Sequence, residues 1–281
     1  VKDDCIGFLH PGNMGVSLAA AVIQNAYTAC WVPEGRSRET LERAEKYGLT
    51  PLDSLEEMCN TCGCIISVCP PHAALDTAAE VAALSYQGNY ADVNAISPDH
   101  ALEIAALFDG SGADFIDGGI IGGPAWTKGG TWLYLSGNSA DRVADYFADT
   151  SLLTDVIGRE AGKASALKMC YAANTKGTLA LLCAVNAAAD RLGVLQELRT
   201  QWEREASDKA EKISDSIRTV TAKAWRFEGE MLEIAETLEK ADIPGGFHRA
   251  AAIIYQRISA FKDALGTPPL KDVLNALQEK E

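Results

Sequence analysis

Between residues 5 and 118 the chain alternates short, almost wholly apolar runs with longer stretches in which small apolar residues recur every three or four positions. The runs at 5–9, 28–32, 64–69 and 90–94 are each followed by a helical pattern, at 16–25, 38–47, 73–84 and 99–108. Strands without a polar face are covered on both sides, and covered strands that alternate with helices build a doubly wound parallel sheet. Residues 114–117 and 131–136 add strands around a glycine-rich stretch at 118–124. Past about residue 158 the strand signal stops and the pattern is helical: a long segment at 163–191, a charged one at 195–219, and shorter ones ending at 274–281. The chain is therefore expected to be an α/β protein in two parts, a doubly wound parallel-sheet domain over 1–158 and an all-α domain over 159–281.

Composition narrows the partners. A chain of 281 residues with a formal charge of −14 has no basic stripe to displace counterions, which argues against nucleic-acid binding. The small-residue run at 177–189 is interrupted by Asn186 and closed by Asp190, too short and Ala-rich to span a membrane. No basic start followed by an apolar run of signal-peptide type is seen, so a cytoplasmic protein is expected. Eight cysteines include the cluster Cys59, Cys62 and Cys64, but no second ligand pair or nearby histidine follows it. Free thiols are expected there, and no metal site.

The first strand breaks into a turn that carries chemistry. CIGFLHPGNMG over residues 5–15 has the strand, turn and helix start of a dinucleotide fingerprint, with Gly12 and Gly15 at its second and third glycines and His10 in place of the first. The helix opening at Asn13 or Met14 offers free N–H groups to an anion, and Pro11 fixes the adjacent turn. After the second strand, Arg36 and Arg38 with Ser37 make a receptor for a 2′-phosphate, which favours NADP over NAD. The competing reading gives Glu34 to a ribose hydroxyl and leaves the arginines on the surface.

With these motifs the N-terminal half, a Rossmann-type domain, resembles the 3-hydroxyacid dehydrogenase family, related to 6-phosphogluconate dehydrogenase. The resemblance rests on GFLHPGNMG at 7–15, Ser67-Val68-Cys69-Pro70-Pro71, the stretch from Asp92 through Asn94 to Pro98, and Ile116-Asp117-Gly118-Gly119-Ile120-Ile121-Gly122-Gly123. The C-terminal half, with KMCYAANTKG at 168–177, AWRFEGEM at 224–231 and PGGFH at 244–248, is similar to a branch of that family whose substrates are poorly defined. The resemblance implies cofactor contacts at Cys69, Pro70, Pro71 and Asn94, and a homodimer formed through the helical domain.

It also implies a reaction. In the family a lysine on the long interdomain helix is the acid–base, and Lys168 stands at that place. Hydride transfer to a carbonyl leaves an alkoxide that must be protonated, and the reverse step removes that proton. A lysine titrates near about 10.4 in water, so it needs desolvation or neighbouring positive charge to work near neutrality. The asparagine usual four residues later is Ala172 here, which leaves Thr175, Asn174 or the hydroxyl of Tyr171 to serve the substrate. Gly122 and Gly123 keep the backbone donors of the family's substrate loop, while Ile121 replaces its serine. Trp126, Lys128 and Trp132 flank that loop as lining or as core, and His248 is a candidate substrate contact or a capping residue. His72 and His100 read as capping or surface histidines, and Trp225, Glu228 and Met231 as packing.

The leading expectation is an NADP-dependent oxidoreductase for a small hydroxy acid, keto acid or related carbonyl compound, with Lys168 as acid–base. An imine reductase of the same superfamily and a non-catalytic NADP-binding sensor are the alternatives. A decarboxylating sugar-phosphate dehydrogenase would need Arg226, Arg249 and Arg257 to converge.

Overall fold

The structure is a computed structural model that describes residues 4–279. Among these residues one sheet holds β1 (Cys5–Phe8), β2 (Thr28–Trp31), β3 (Thr50–Pro51), β4 (Cys64–Ser67), β5 (Asn89–Asp92), β6 (Asp114–Gly122), β7 (Thr131–Ser136) and β8 (Leu153–Gly158). Their order is β3-β2-β1-β4-β5-β6-β7-β8. The strands β1 to β6 are mutually parallel, in the arrangement of a dinucleotide-binding sheet.

The expected parallel sheet is thus mixed: β7 runs antiparallel to β6 and parallel to β8. The link over residues 123–130 is too short for the crossover a parallel pair needs, so the chain turns back on itself. The glycine-rich stretch is itself strand, the second half of β6. Two strands carry no apolar run and were not foreseen. In β3 both residues are exposed, and β8 is half-buried around Asp155.

Alternation along the strands explains why both faces are covered. Ile66, Ala91 and Ile116 point to one core with Val16 and Val22 of α1 (Asn13–Gln24), while Ile65, Tyr90 and Phe115 point to a second core with Met58, Ile104 and Phe108. Ile65 and Ile66 are both fully buried, and each contributes roughly 1.5–3 kcal/mol relative to exposure. The covering helices include α2 (Arg38–Lys46), α3 (Leu55–Thr61), α4 (Ala74–Ala83), α5 (Pro98–Leu107) and α6 (Ala140–Asp145).

The chain divides into two compact units between Met169 and Cys170, inside helix α7 (Lys163–Arg191) and past the position read from the sequence. The first turns of α7 are tied to the sheet by hydrogen bonds at Ala164, Ser165 and Lys168, which keeps them with the first unit. The second unit continues through α8 (Leu195–Glu205), α9 (Lys209–Lys240), α10 (Gly246–Arg257) and α11 (Leu270–Gln278). The single charged segment expected at 195–219 is corrected here: Ala206 is extended and ends α8, and α9 starts afresh and runs 32 residues. Ser207 and Asp208 are the start signal, hidden in the sequence by equal charge on both sides. Ile217, Ala224, Met231 and Ile234 form the buried stripe of α9, and Phe227 meets Tyr255 of α10 edge-on at 5.4 Å.

Candidate functional site

The crevice of such a sheet opens where chain connections leave in opposite directions, here beyond the ends of β1 and β4. The N-terminus of α1 lies there. No side chain caps it, and the turn before it closes through a bond from the Gly12 amide to the His10 carbonyl at 2.8 Å. A Cβ on Gly15 would be driven into that His10 carbonyl oxygen, so α1 can start this close to the turn only with glycine at that position. A Cβ on Gly12 would meet nothing within 4 Å. Pro11 is buried, Met14 packs on the core and Asn13 is exposed.

Beside this turn a cavity of about 300 Å³ is lined by Leu9 and His10 after β1, by Val32, Glu34 and Arg36 after β2, by Leu55 and Met58 of α3, and by Thr77 and Glu80 of α4. Nδ1 of His10 and Nε of Arg36 are buried without a hydrogen-bond partner among the described residues. Burial, and then the Arg36 guanidinium, push His10 down to about 4, so the ring is neutral. The other two members of the expected phosphate receptor are engaged locally. Ser37 caps α2 by accepting from the Thr40 amide at 3.3 Å, and Arg38 pairs with Glu42 at 2.8 Å on the surface. An open position at Gly12, an uncapped helix start and two orphaned buried nitrogens in one cleft fit a dinucleotide's pyrophosphate and adenosine end.

At the ends of β4 and β5, Asn94 is locked in place. Its side-chain oxygen accepts from the Cys69 amide at 2.5 Å, and its nitrogen donates to Ser67 Oγ at 3.0 Å and Asp92 Oδ2 at 2.8 Å. Burial raises Asp92 to about 7 and the Cys69 thiol to about 11. Pro71 is buried and opens one 3-10 turn, Pro71–Ala73, in which His72 is exposed. Ser97, not His100, caps α5.

Lys168 is held over β6. Its Nζ donates to the Ile120 carbonyl at 2.6 Å, immediately before Ile121, Gly122 and Gly123. Three features place it. A Cβ on Gly119 would lie 2.8 Å from the Ala164 carbonyl oxygen and 2.9 Å from Lys168 Cβ, so glycine there lets α7 settle on the strand. Asp117, buried at the start of α7, accepts from the Ser165 amide at 3.0 Å, Ser165 Oγ at 2.6 Å and Ser136 Oγ at 3.1 Å. Ser136 Oγ in turn accepts from the Ala164 amide at 3.1 Å. An anion at a helix N-terminus is electrostatically favoured, and burial still raises the Asp117 carboxyl above the ordinary range. Sequence reading missed Asp117, Ser136, Ser165 and Gly119 as a support for Lys168. The strand motif contained Asp117 and Gly119, but only the register of α7 on β6 gives them this task. Gly122 and Gly123 are exposed and Ile121 is half-buried opposite Trp132. Trp126 stacks on Tyr47 at 4.6 Å.

In the helical unit Tyr171 and Asn174 are exposed, and Thr175 donates its hydroxyl to the Tyr171 carbonyl at 3.2 Å. Ala172 is buried, so the family's asparagine position does not face solvent. His248 is in the first turn of α10 and is buried, with Nε2 3.3 Å from the Ala173 carbonyl oxygen, which is neither a surface nor a capping position. Gly177 makes room for that ring. Arg249 is bound to Glu239, Arg257 donates to the Leu277 carbonyl, and Arg226 lies over Phe227, so each has its own local partner. Trp225 is part-exposed beneath Lys262, and Met231 is core. All eight cysteines are free, and no cluster of metal-ligating residues occurs among the described residues. None of the described helices is long and apolar enough to cross a membrane.

Comparison with known proteins places this geometry. A family model described as the NAD binding domain of 6-phosphogluconate dehydrogenase matches residues 5–154, and a domain of unknown function, DUF1932, matches residues 189–258. An uncharacterized 28.5 kDa protein of Methanothermus fervidus is 30% identical over 193 residues, 69% of this chain and 74% of its own. The solved structure of the conserved protein MTH1747, of unknown function and similar in structure to 3-hydroxyacid dehydrogenases, aligns with a TM-score of 0.68 and 27% identity over 98% of this chain and 100% of its own. The 3-hydroxyisobutyrate dehydrogenase of Mycobacterium tuberculosis shares the fold, with a TM-score of 0.69 and 18% identity over 98% and 99% of the two chains. The strand order, the glycine turn and the matched profile agree: the chain belongs to the 6-phosphogluconate dehydrogenase NAD-binding family, among the 3-hydroxyacid-dehydrogenase-like NAD(P)-dependent oxidoreductases.

Proposed function

We propose that the protein is an NADP(H)-dependent dehydrogenase or reductase for a small hydroxy acid, keto acid or related carbonyl compound, with Lys168 as its acid–base. The observation that carries this reading is the placement of Lys168 Nζ on the Ile120 carbonyl, beside the exposed Gly122 and Gly123. An ammonium held on a backbone carbonyl, on a helix whose start the Asp117 network fixes, is ready to donate to an oxygen that gains charge, and the resulting amine is ready to take the proton back. The turn at His10, Gly12 and Gly15 and the Arg36 cleft hold the dinucleotide, whose nicotinamide supplies or accepts hydride when bound. Arg36 lines that cleft, which supports NADP(H) over NAD(H), although Glu34 lines it too. A homodimer through the helical unit accompanies this reading, and Leu181, Leu192, Leu232 and Ile253 are exposed there.

The test is oxidation of NADPH and NADH with a panel of keto acids, aldehydes, phosphosugars and cyclic imines. Lys168→Ala is expected to lower turnover by about 10²–10⁴-fold while dinucleotide affinity changes less than about twofold. Turnover unaffected by the substitution removes Lys168 from the chemistry. Turnover of cyclic imines alone replaces the carbonyl reading with the imine one.

A further inference from the structure

The turn that would carry the first glycine of a dinucleotide fingerprint carries His10, and the ring is not idle packing. His10 and Arg36 line one cavity of about 300 Å³, and each carries a buried nitrogen with no partner among the described residues. Buried polar groups are mostly satisfied, so two orphans that share one cleft fit a polar ligand there. The charge of the cleft says what kind. Glu34 from the loop after β2 and Glu80 from α4 face it together with Arg36, so with His10 neutral the carboxylates outnumber the guanidinium. A phosphate entering this lining adds more negative charge, and among the lining residues His10 is the one besides Arg36 that can carry positive charge.

Resting on the NADP(H) reading, we propose that His10 and Arg36 form the receptor for the 2′-phosphate dianion of the cofactor, and that His10 takes up a proton as this phosphate binds. In the free protein burial and the Arg36 charge keep the ring neutral. A dianion between the two reverses the local field and favours imidazolium, which presents N–H donors at both ring nitrogens whichever tautomer the free ring held. The sign follows from linkage. A group whose pKa rises on binding makes affinity rise as pH falls through the pKa of the complex, down to the free value of about 4, and leaves it flat above. The unphosphorylated dinucleotide brings no such charge and gains no such dependence.

The experiment is calorimetric titration of the full protein with NADP⁺ and NAD⁺ at pH 7.0 in two non-phosphate buffers of different ionisation enthalpy, then affinity for both from pH 7.0 to 8.5. In this window a 2′-phosphate, with its second pKa of about 6, stays dianionic. NADP⁺ is expected to bind with net proton uptake and NAD⁺ without it, and the preference for NADP⁺ is expected to grow about threefold or more from pH 8.5 to 7.0. His10→Gln is expected to abolish both effects. His10→Gly, which restores the family's turn residue, is expected to do the same and guards against a misfolded variant. Equal proton uptake with both dinucleotides, or a pH trend unchanged in both variants, overturns the proposal while the dinucleotide reading stands. Failure of NADP⁺ and NAD⁺ alike to bind overturns both.

Discussion

The two units bury charge in opposite ways. In the sheet unit Asp117 is surrounded by neutral donors from Ser136, Ser165 and the backbone, and Asp92 by the amide and side chain of Asn94. In the helical unit the largely buried Glu230 of α9 meets a full opposite charge, Lys176 of α7, which also lies 4.2 Å over the ring of Phe227. Tyr255 of α10 closes the arrangement by donating to the Lys176 carbonyl at 2.7 Å. Neutral donors approach a carboxylate from several directions, so they can fix strand ends and a helix start together without importing a second charge. An ion pair ties one helix to another at a single point, and its strength depends on both partners being present. The sheet unit therefore holds an acid, Asp92, whose protonation can change near neutrality, whereas the helical unit holds a clamp.

The largest expected effect breaks that clamp. Glu230→Ala removes the carboxylate that α9 sets against the partly buried Lys176, and the loss of stability is expected to be about 3 kcal/mol, the lower end for a buried pair. Replacing both partners, Lys176→Met with Glu230→Leu, is expected to recover most of it, because two apolar side chains of similar volume carry no desolvation cost. Urea unfolding followed by circular dichroism separates these outcomes. A single variant within about 1 kcal/mol of the wild type would put the pair with ordinary surface bridges.

A second contrast lies inside the sheet unit, between two glycines three residues apart. Gly15→Ala pushes a methyl into the His10 carbonyl, and the turn must shift, at an expected cost of about 1–3 kcal/mol and with loss of dinucleotide binding. Gly12→Ala meets open space, so stability is expected to hold while affinity for the dinucleotide falls. Thermal unfolding with and without dinucleotide reads both. If Gly12→Ala binds as tightly as the wild type, the open face of the turn is not where the pyrophosphate approaches.

This contrast shows how far the sequence alone reaches. The glycines at 12 and 15, the covered strands and the helical second half are all patterns of spacing, and the strands at 5–8, 28–31, 64–67 and 89–92 follow them closely. Short strands with no apolar run, β3 and β8, leave no such pattern, and the break between α8 and α9 is masked by charges on both sides. For the site, the lysine and the arginine were visible as residue types. What no spacing reveals is that Arg38 and Ser37 turn to local partners, that Asn94 is committed to Asp92, Ser67 and Cys69, and that Asp117 reaches from β6 to the start of α7. Each is a contact between distant parts of the chain or a choice among nearby partners, fixed by packing.

The smallest expected effect tests whether the neutral mode of burial in the sheet unit does titrate. Burial raises Asp92 to about 7, with Asp117, its neighbour across the β5–β6 register, adding to the rise against hydrogen bonds from Asn94 and the charge of His100. An unfolded aspartate titrates near about 3.9, so between that pH and about 7 the folded state binds the extra proton. Stability from this group is then present at low pH and is lost as pH rises toward about 7, with no further loss above. Other groups titrate in the same window, so the quantity to measure is the difference between the wild type and Asp92→Asn, which keeps the shape and removes the proton. The wild type is expected to lose on the order of 1–2 kcal/mol relative to the variant between pH 5 and pH 7.5, read from urea midpoints. A difference that does not move with pH would mean that Asn94 holds Asp92 ionised throughout, and that the sheet unit, like the helical one, buries a permanent charge.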